Sequence, residues 1–147
     1  MRQLIYAMQF KGSAGPLSAS NARKAATSAP SCSITSIVGA RGLSGSIEPA
    51  AGGTATFESE VTITGHDSFQ EKGTITFGAG NRLRFSTVGE GHTGPSADPA
   101  LRHGAVMWRI DGGEGQFAGA SGLITSNFTF GPGGEVVDNQ FGLIFVK

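Results

Sequence analysis

Several stretches of this chain alternate with a period of two, and that pattern limits what it can fold into. Leu4, Tyr6, Met8 and Phe10 interleave with Gln3, Ile5, Ala7 and Gln9. Ala55, Phe57, Ser59, Val61 and Ile63 interleave with Thr54, Thr56, Glu58, Glu60 and Thr62. Val106, Trp108 and Ile110 share one face, Ile124, Ser126, Phe128 and Phe130 another, and Val137, Asn139, Phe141, Leu143 and Phe145 a third. Successive side chains of a strand point to opposite faces, so this period means strands with one face turned to a core.

Further strands are read at Cys32–Val38, Phe69–Phe77 and Arg82–Val88, with a short one at Leu43–Ile47. Turns are marked by Gly65-His66-Asp67-Ser68, by Gly78-Ala79-Gly80-Asn81 and by Gly131-Pro132-Gly133-Gly134. Residues 12–31 and 89–103 are rich in small residues and proline and read as two long loops, the first either mobile or a lid over a cavity, with one helical turn near Asn21 to Ala26.

Roughly eight strands joined by short links favour antiparallel neighbours and can close into a barrel. The expected fold is therefore an all-β, roughly eight-stranded antiparallel barrel. A β-sandwich is the alternative, because periodicity does not separate closed from open sheets. At 147 residues the chain suits one domain, 1–147, with one core. Ten Phe against one Tyr and one Trp point to a core lined by Phe.

Charge and cysteine usage exclude several function classes. The net charge is zero, and no acid precedes Glu48 although five basic groups do. Five scattered cations form no nucleic-acid stripe. No stretch is apolar for long enough to read as a membrane span. The start, MRQLIYAMQF, lacks the pattern of a signal peptide. Cys32, the single cysteine, leaves no intramolecular disulfide and fits a reducing, cytoplasmic setting. It reads as a small buried residue, with no base nearby in sequence to activate it.

The run Asp111 to Gly122, DGGEGQFAGASG, sits between two strands and surrounds Phe117 with glycines. It resembles the Gly-x-Gly-x-Phe-x-Gly-Ala-x-Gly pattern of the allene oxide cyclase-like barrels, a calycin-like group similar also to dirigent proteins. The motif covers the last third of the chain, and the strand count covers the whole. The resemblance implies a barrel and a cavity that holds a reactive apolar substrate by shape, without metal or organic cofactor. It transfers no catalytic residues. The polar site groups of the plant cyclases have no recognisable counterpart around Leu4 to Phe10.

Other chemistry is weakly signalled. The glycine run lacks the following helix that a dinucleotide site needs. His66, His92 and His103 all fall in expected loops and read as surface residues, so no metal site is expected. Glu58 and Glu60 share one strand face, but its threonines mark it as the solvated one, where acids can pair with Arg82 or Arg84.

The polar minority on the apolar faces is more informative. A buried hydroxyl, amide or indole without a partner costs about 1–3 kcal/mol, so these groups either satisfy one another or meet a ligand. The expected ligand-binding set is Tyr6, Phe57, Ser59, Phe85, Trp108, Ser126, Phe128, Asn139 and Phe141. The functional expectation is binding of a small, mostly apolar molecule, with cofactor-free isomerisation or cyclisation as the activity open to such a site. The alternative is a filled barrel serving as a structural or interaction module. Its outer apolar patch would use Ile5, Met107, Leu123, Ile144 and Val146 and would also support a homo-oligomer.

Overall fold

In a computed structural model, which describes residues 1–17 and 21–147, the chain is all-β. Its strands are β1 (Arg2–Pro16), β2 (Ala22–Gly39), β3 (Gly42–Ile63), β4 (Ser68–Phe77), β5 (Arg82–Thr87), β6 (Gly91–Pro95), β7 (Arg102–Gly113), β8 (Ser121–Phe130) and β9 (Glu135–Val146). All pairings are antiparallel. The sheet order β3-β2-β1-β9-β8-β7-β5-β4 returns to β3 through the β3–β4 pairing, so eight strands close a ring. The short β6 continues the line of β5 between β4 and β7.

Alternation sets which side chains enter the ring. On β1, Tyr6 and Phe10 are buried and Gln9 is exposed; on β3, Ala55, Phe57 and Ser59 are buried while Glu58 and Glu60 are exposed. β7 buries Val106, Trp108 and Ile110, and β8 buries Ile124 and Ser126.

One expected loop is instead strand, and the other is strand in part. Residues 12–16 complete β1 and 22–31 begin β2, paired from Lys11↔Ser28 to Pro16↔Arg23; positions 18–20 lie outside the described residues. The inward residues here, Gly12, Ala14, Ala25 and Ala29, are small, and Ala14 and Ala25 border open space inside the ring rather than filling it. Small residues carry little hydrophobic signal, hence the loop-like reading. The second expected loop contains β6.

The facing of β9 is also corrected. Asp138, Gln140, Ile144 and Val146 are buried, whereas Asn139 and Phe141 lie on the outer wall. Ile144 and Val146 therefore do not belong to an outer patch; Ile5, Met107 and Leu123 do.

One end of the ring is filled. Glycines 112, 115, 119 and 122 adopt positive φ and turn the chain between β7 and β8. That turn seats Phe117 in the core, 5.4 Å from the Phe77 ring. Above it, Phe85 packs on Trp108 at 4.4 Å and Phe57 stacks on Phe85 at 5.4 Å. At this end two glycines make room for aromatic rings: Gly142 lies under Tyr6 and Gly73 under Phe85, and a Cβ at either would overlap the ring.

Candidate functional site

The other end of the ring is not filled. A cavity of about 640 Å³ is walled by Ala25, Phe57, Val61, Phe69, Trp108 and Phe128. Its mouth carries His66, Asp67, Pro132 and Gly133 from the turns at that end and Arg102 from the start of β7, all exposed. Arg102 bridges β7 to the β3–β4 turn through Asp67 at 2.9 Å. Arg23, on β2, also lines the space.

Two carboxyl groups enter this apolar space. Glu71 shares the inward face of β4 with Phe69, Gly73 and Ile75; Asp138 sits on the inward face of β9 opposite Phe10. Both are buried, at 8% and 5% exposure. Burial pushes the Glu71 carboxyl up to about 8; the Ser59 hydrogen bond opposes this, and the charge of Asp138 adds to it. Burial likewise pushes Asp138 up to about 6, against hydrogen bonds from Ser126 and Gln140 that favour its ionised form. Pulling a carboxylate out of water disfavours its charge, and donated hydrogen bonds restore part of the loss.

Each acid has its own partners. The Ser59 hydroxyl donates to Glu71 Oε1. The Ser126 hydroxyl donates to Asp138 Oδ1 at 2.6 Å, and Gln140 Nε2 donates to Asp138 Oδ2 at 2.7 Å. Tyr6 donates in turn to Gln140 Oε1 at 3.0 Å. Burial, then the charge of Asp138, keeps the Tyr6 phenol protonated well above its ordinary range. Tyr6, Gln140, Asp138 and Ser126 thus form one chain of hydrogen bonds that ends at the cavity.

Two polar atoms of the cavity wall have no partner: Trp108 Nε1 and Thr27 Oγ1 are buried and unbonded. The Trp108 N–H lies near enough to Glu71 to favour its ionised form slightly, but its geometry makes no hydrogen bond.

Of the expected ligand-binding residues, Phe57, Trp108, Ser126 and Phe128 line the cavity. Tyr6, Ser59 and Phe85 are buried as expected but stand behind it, Tyr6 and Ser59 as hydrogen-bond partners and Phe85 as packing. Asn139 and Phe141 face away from it; Asn139 instead accepts from Gln9 at 3.0 Å on the outside.

Sequence reasoning passed over Glu71, Asp138, Gln140 and Thr27. The signal for Glu71 was its parity with Phe69, Ile75 and Phe77. For Asp138 and Gln140 it was parity with Ile144 and Val146.

The other candidates stay on the surface. Glu60 lies opposite Lys24 and Lys72 in the strand registers, whereas Arg82 and Arg84 approach Glu114 at 3.9 and 3.8 Å. His66, His92 and His103 are exposed, and no cluster of metal-ligating side chains occurs among the described residues. No helix among these residues is long and apolar enough to cross a membrane.

Comparison with protein-family models, curated proteins and solved structures finds no match to the chain. The site must be read from its own chemistry. An apolar cavity with two carboxyls of unequal acidity can hold a small molecule out of water and can move a proton on it.

Proposed function

We propose that the chain binds a small, mostly apolar molecule inside the ring and rearranges it without a cofactor, by isomerisation or cyclisation. On this reading the ring is a barrel of the allene oxide cyclase-like type, and the DGGEGQFAGASG turn is its closed end. The observation that carries the proposal is the 640 Å³ cavity, whose apolar wall includes two buried carboxyls. Pockets for small ligands run from roughly 300 to 1,000 Å³ and pair apolar walls with a few placed polar groups. A carboxyl pair kept inside without a ligand role is costly, since an apolar pair of similar volume would pack there at no desolvation penalty. The free Cys32 thiol supports a reducing, cytoplasmic compartment.

Native mass spectrometry with denaturing extraction tests the binding. A co-purifying apolar compound near one per chain is the expected result. A protein that neither carries such a compound nor takes up apolar molecules added in excess would contradict it.

A second observation favours self-association alongside binding. Beyond the ring, β2 and β3 continue as a two-stranded arm from Cys32↔Pro49 to Gly39↔Gly42. One face holds Cys32 and Pro49, Ile34 and Ile47, Ser36 and Gly45, and Val38 and Leu43 as cross-strand pairs; the other holds Ser33 and Glu48, Thr35 and Ser46, and the exposed Ile37 opposite Ser44. The apolar face is bare, with Val38 at 82% and Leu43 at 74% exposure. A lone two-stranded ribbon is marginally stable in water, so this face needs a cover.

The arm leaves the ring beside β1, where the Cys32 thiol donates to the Ala7 carbonyl at 2.8 Å. There the outer wall carries a row of Ile5, Leu143 and Leu123, flanked by Phe141 and Met107. Each arm face measures roughly 26 Å by 10 Å from strand rise and spacing. Reciprocal docking of two arms on two walls would bury about 1,000 Å², the lower edge for a specific interface. A second copy of this chain is the occupant that offers such a wall.

A further inference from the structure

We propose that Trp108 and Glu71 hold the carbonyl oxygen of the bound molecule and that Asp138 moves a proton on the carbon beside it, so that the cavity isomerises enolisable ketones. The inference rests on the ligand-binding reading above and names the substrate class for that site.

The argument starts from the unpartnered indole. Trp108 is fully buried and lines the cavity, and its N–H, though near Glu71, makes no hydrogen bond in the protein. A buried N–H left empty costs about 1–3 kcal/mol, so an acceptor on the ligand is what the position needs. The sheet places Glu71 in the same row. Thr87 pairs with Trp108 across β5 and β7, and the Thr87 hydroxyl bonds both the backbone N–H and the carbonyl of Glu71 at 2.7 and 2.9 Å. One ligand oxygen in this row can therefore meet two donors, the indole N–H and a protonated Glu71. A carbonyl oxygen is an acceptor with two lone pairs and fits both.

The hydrogen bonds also separate the roles of the two acids. Asp138 accepts two, from Ser126 and Gln140, one on each oxygen; Glu71 accepts one, from Ser59, with the Trp108 N–H nearby but not bonded. Two donors stabilise the carboxylate form, which is the proton acceptor. The more weakly supported Glu71 is the one that keeps its proton, in line with its higher pKa of about 8 against about 6. Two carboxyls driven apart in this way supply a base and an acid at one pH.

The step balances without a co-reactant. Asp138 takes a proton from the carbon next to the carbonyl. The C–H electron pair becomes the new C=C bond, and the carbonyl π pair moves to oxygen, which takes the Glu71 proton. In the reverse direction, Asp138 returns its proton at the far end of the conjugated system, the carbonyl re-forms and Glu71 regains its proton. The net change is a shifted double bond. No electrons leave the substrate.

The test uses the whole chain and cyclohex-3-en-1-one, with a bicyclic homologue to match the cavity. Isomerisation to the conjugated ketone is followed by absorbance, and uptake of deuterium beside the carbonyl by proton NMR in D2O. Binding is read separately, from the emission of Trp108, the only tryptophan, and from an apolar dye. The expected result is isomerisation that falls about 100-fold in Asp138→Asn and in Glu71→Gln, the usual size of a general acid–base contribution. Trp108→Phe, read with the dye, should lower turnover by about the same factor through loss of one donor to the developing oxyanion.

Ketone binding without isomerisation or deuterium uptake would overturn the inference and leave ligand binding standing. So would turnover that survives Asp138→Asn in a folded variant. Dye binding without ketone binding would overturn the carbonyl assignment. Failure of both ketones and dye would overturn the cavity reading itself.

Discussion

The Ser126 hydroxyl on β8 donates to Asp138 Oδ1 on β9 across 2.6 Å, and both residues are buried at the cavity wall. This bond holds down the pKa of an acid that burial otherwise raises. Ser126→Ala should therefore raise the Asp138 pKa further, as read by carbon-detected NMR titration of the carboxyl. The same change should cost about 1 kcal/mol in urea unfolding at pH 7. An unchanged pKa would mean that the bond does not set the charge of Asp138.

The buried acids make stability depend on pH in a stated direction. Both native pKa values are raised, Glu71 from 4.5 to about 8 and Asp138 from 3.8 to about 6. In each window the native state binds more protons than the unfolded one, so stability falls as pH rises. The Asp138 part is lost between about pH 4 and 6. The Glu71 part is lost between about 4.5 and 8 and amounts to about 5 kcal/mol at the ordinary conversion from pKa to energy. Melting temperature should decline from pH 5 to pH 9, and Glu71→Gln should flatten that decline above pH 6. A wild type as stable at pH 9 as at pH 5 would contradict the buried, protonated Glu71.

Gly142 sits beneath a ring that has little freedom to move, since the Tyr6 hydroxyl is bonded to Gln140 and the ring packs edge-on against Phe77 at 5.2 Å. Gly142→Ala should cost about 2 kcal/mol or more by overpacking. Gly53→Ala is the control, because a Cβ there meets nothing within 4 Å. Equal melting temperatures for the two variants would refute the close approach.

The arm predicts a change in assembly rather than in folding. Val38→Lys with Leu43→Lys places charge on its exposed apolar pair. Sedimentation should then show one chain where the wild type shows two. The melting temperature extrapolated to low protein concentration should stay within about 0.5 kcal/mol equivalent, as for exposed positions elsewhere. A wild type that is a single chain at high concentration would rule out the second copy.

The strands and their inward faces were legible in the sequence wherever one face was clearly apolar; closure of the sheet was not, because periodicity does not separate closed from open sheets. β1 and β3 show this, with Tyr6, Phe10, Phe57 and Ser59 inside as their alternation requires. β9 was read on the wrong face because both of its faces are rich in apolar residues. An inward Asp138 and Gln140 are costly alone, and the partners that offset the cost lie on other strands, Ser126 on β8 and Tyr6 on β1. Glu71 was hidden for a similar reason: its partner Ser59 is on another strand.

The prolines misled differently. Pro16 ends β1, and Pro30 sits at an irregularity in the β2–β3 register, two places where a strand tolerates proline. The alanines between them line the ring without the bulk that marks a core face. The reading as a loop followed from that lack of bulk, since Ala14 and Ala25 border the cavity instead of filling it.

The central claim is that the unfilled end of the ring takes a small apolar molecule. Titration with an apolar fluorescent dye, reading both the dye and Trp108, tests it most directly when wild type is compared with Ala25→Phe, which fills the cavity wall. Saturable binding of one dye per chain, lost in the filled but folded variant, is the predicted result. Absence of saturable binding, or binding that Ala25→Phe leaves unchanged, would contradict it.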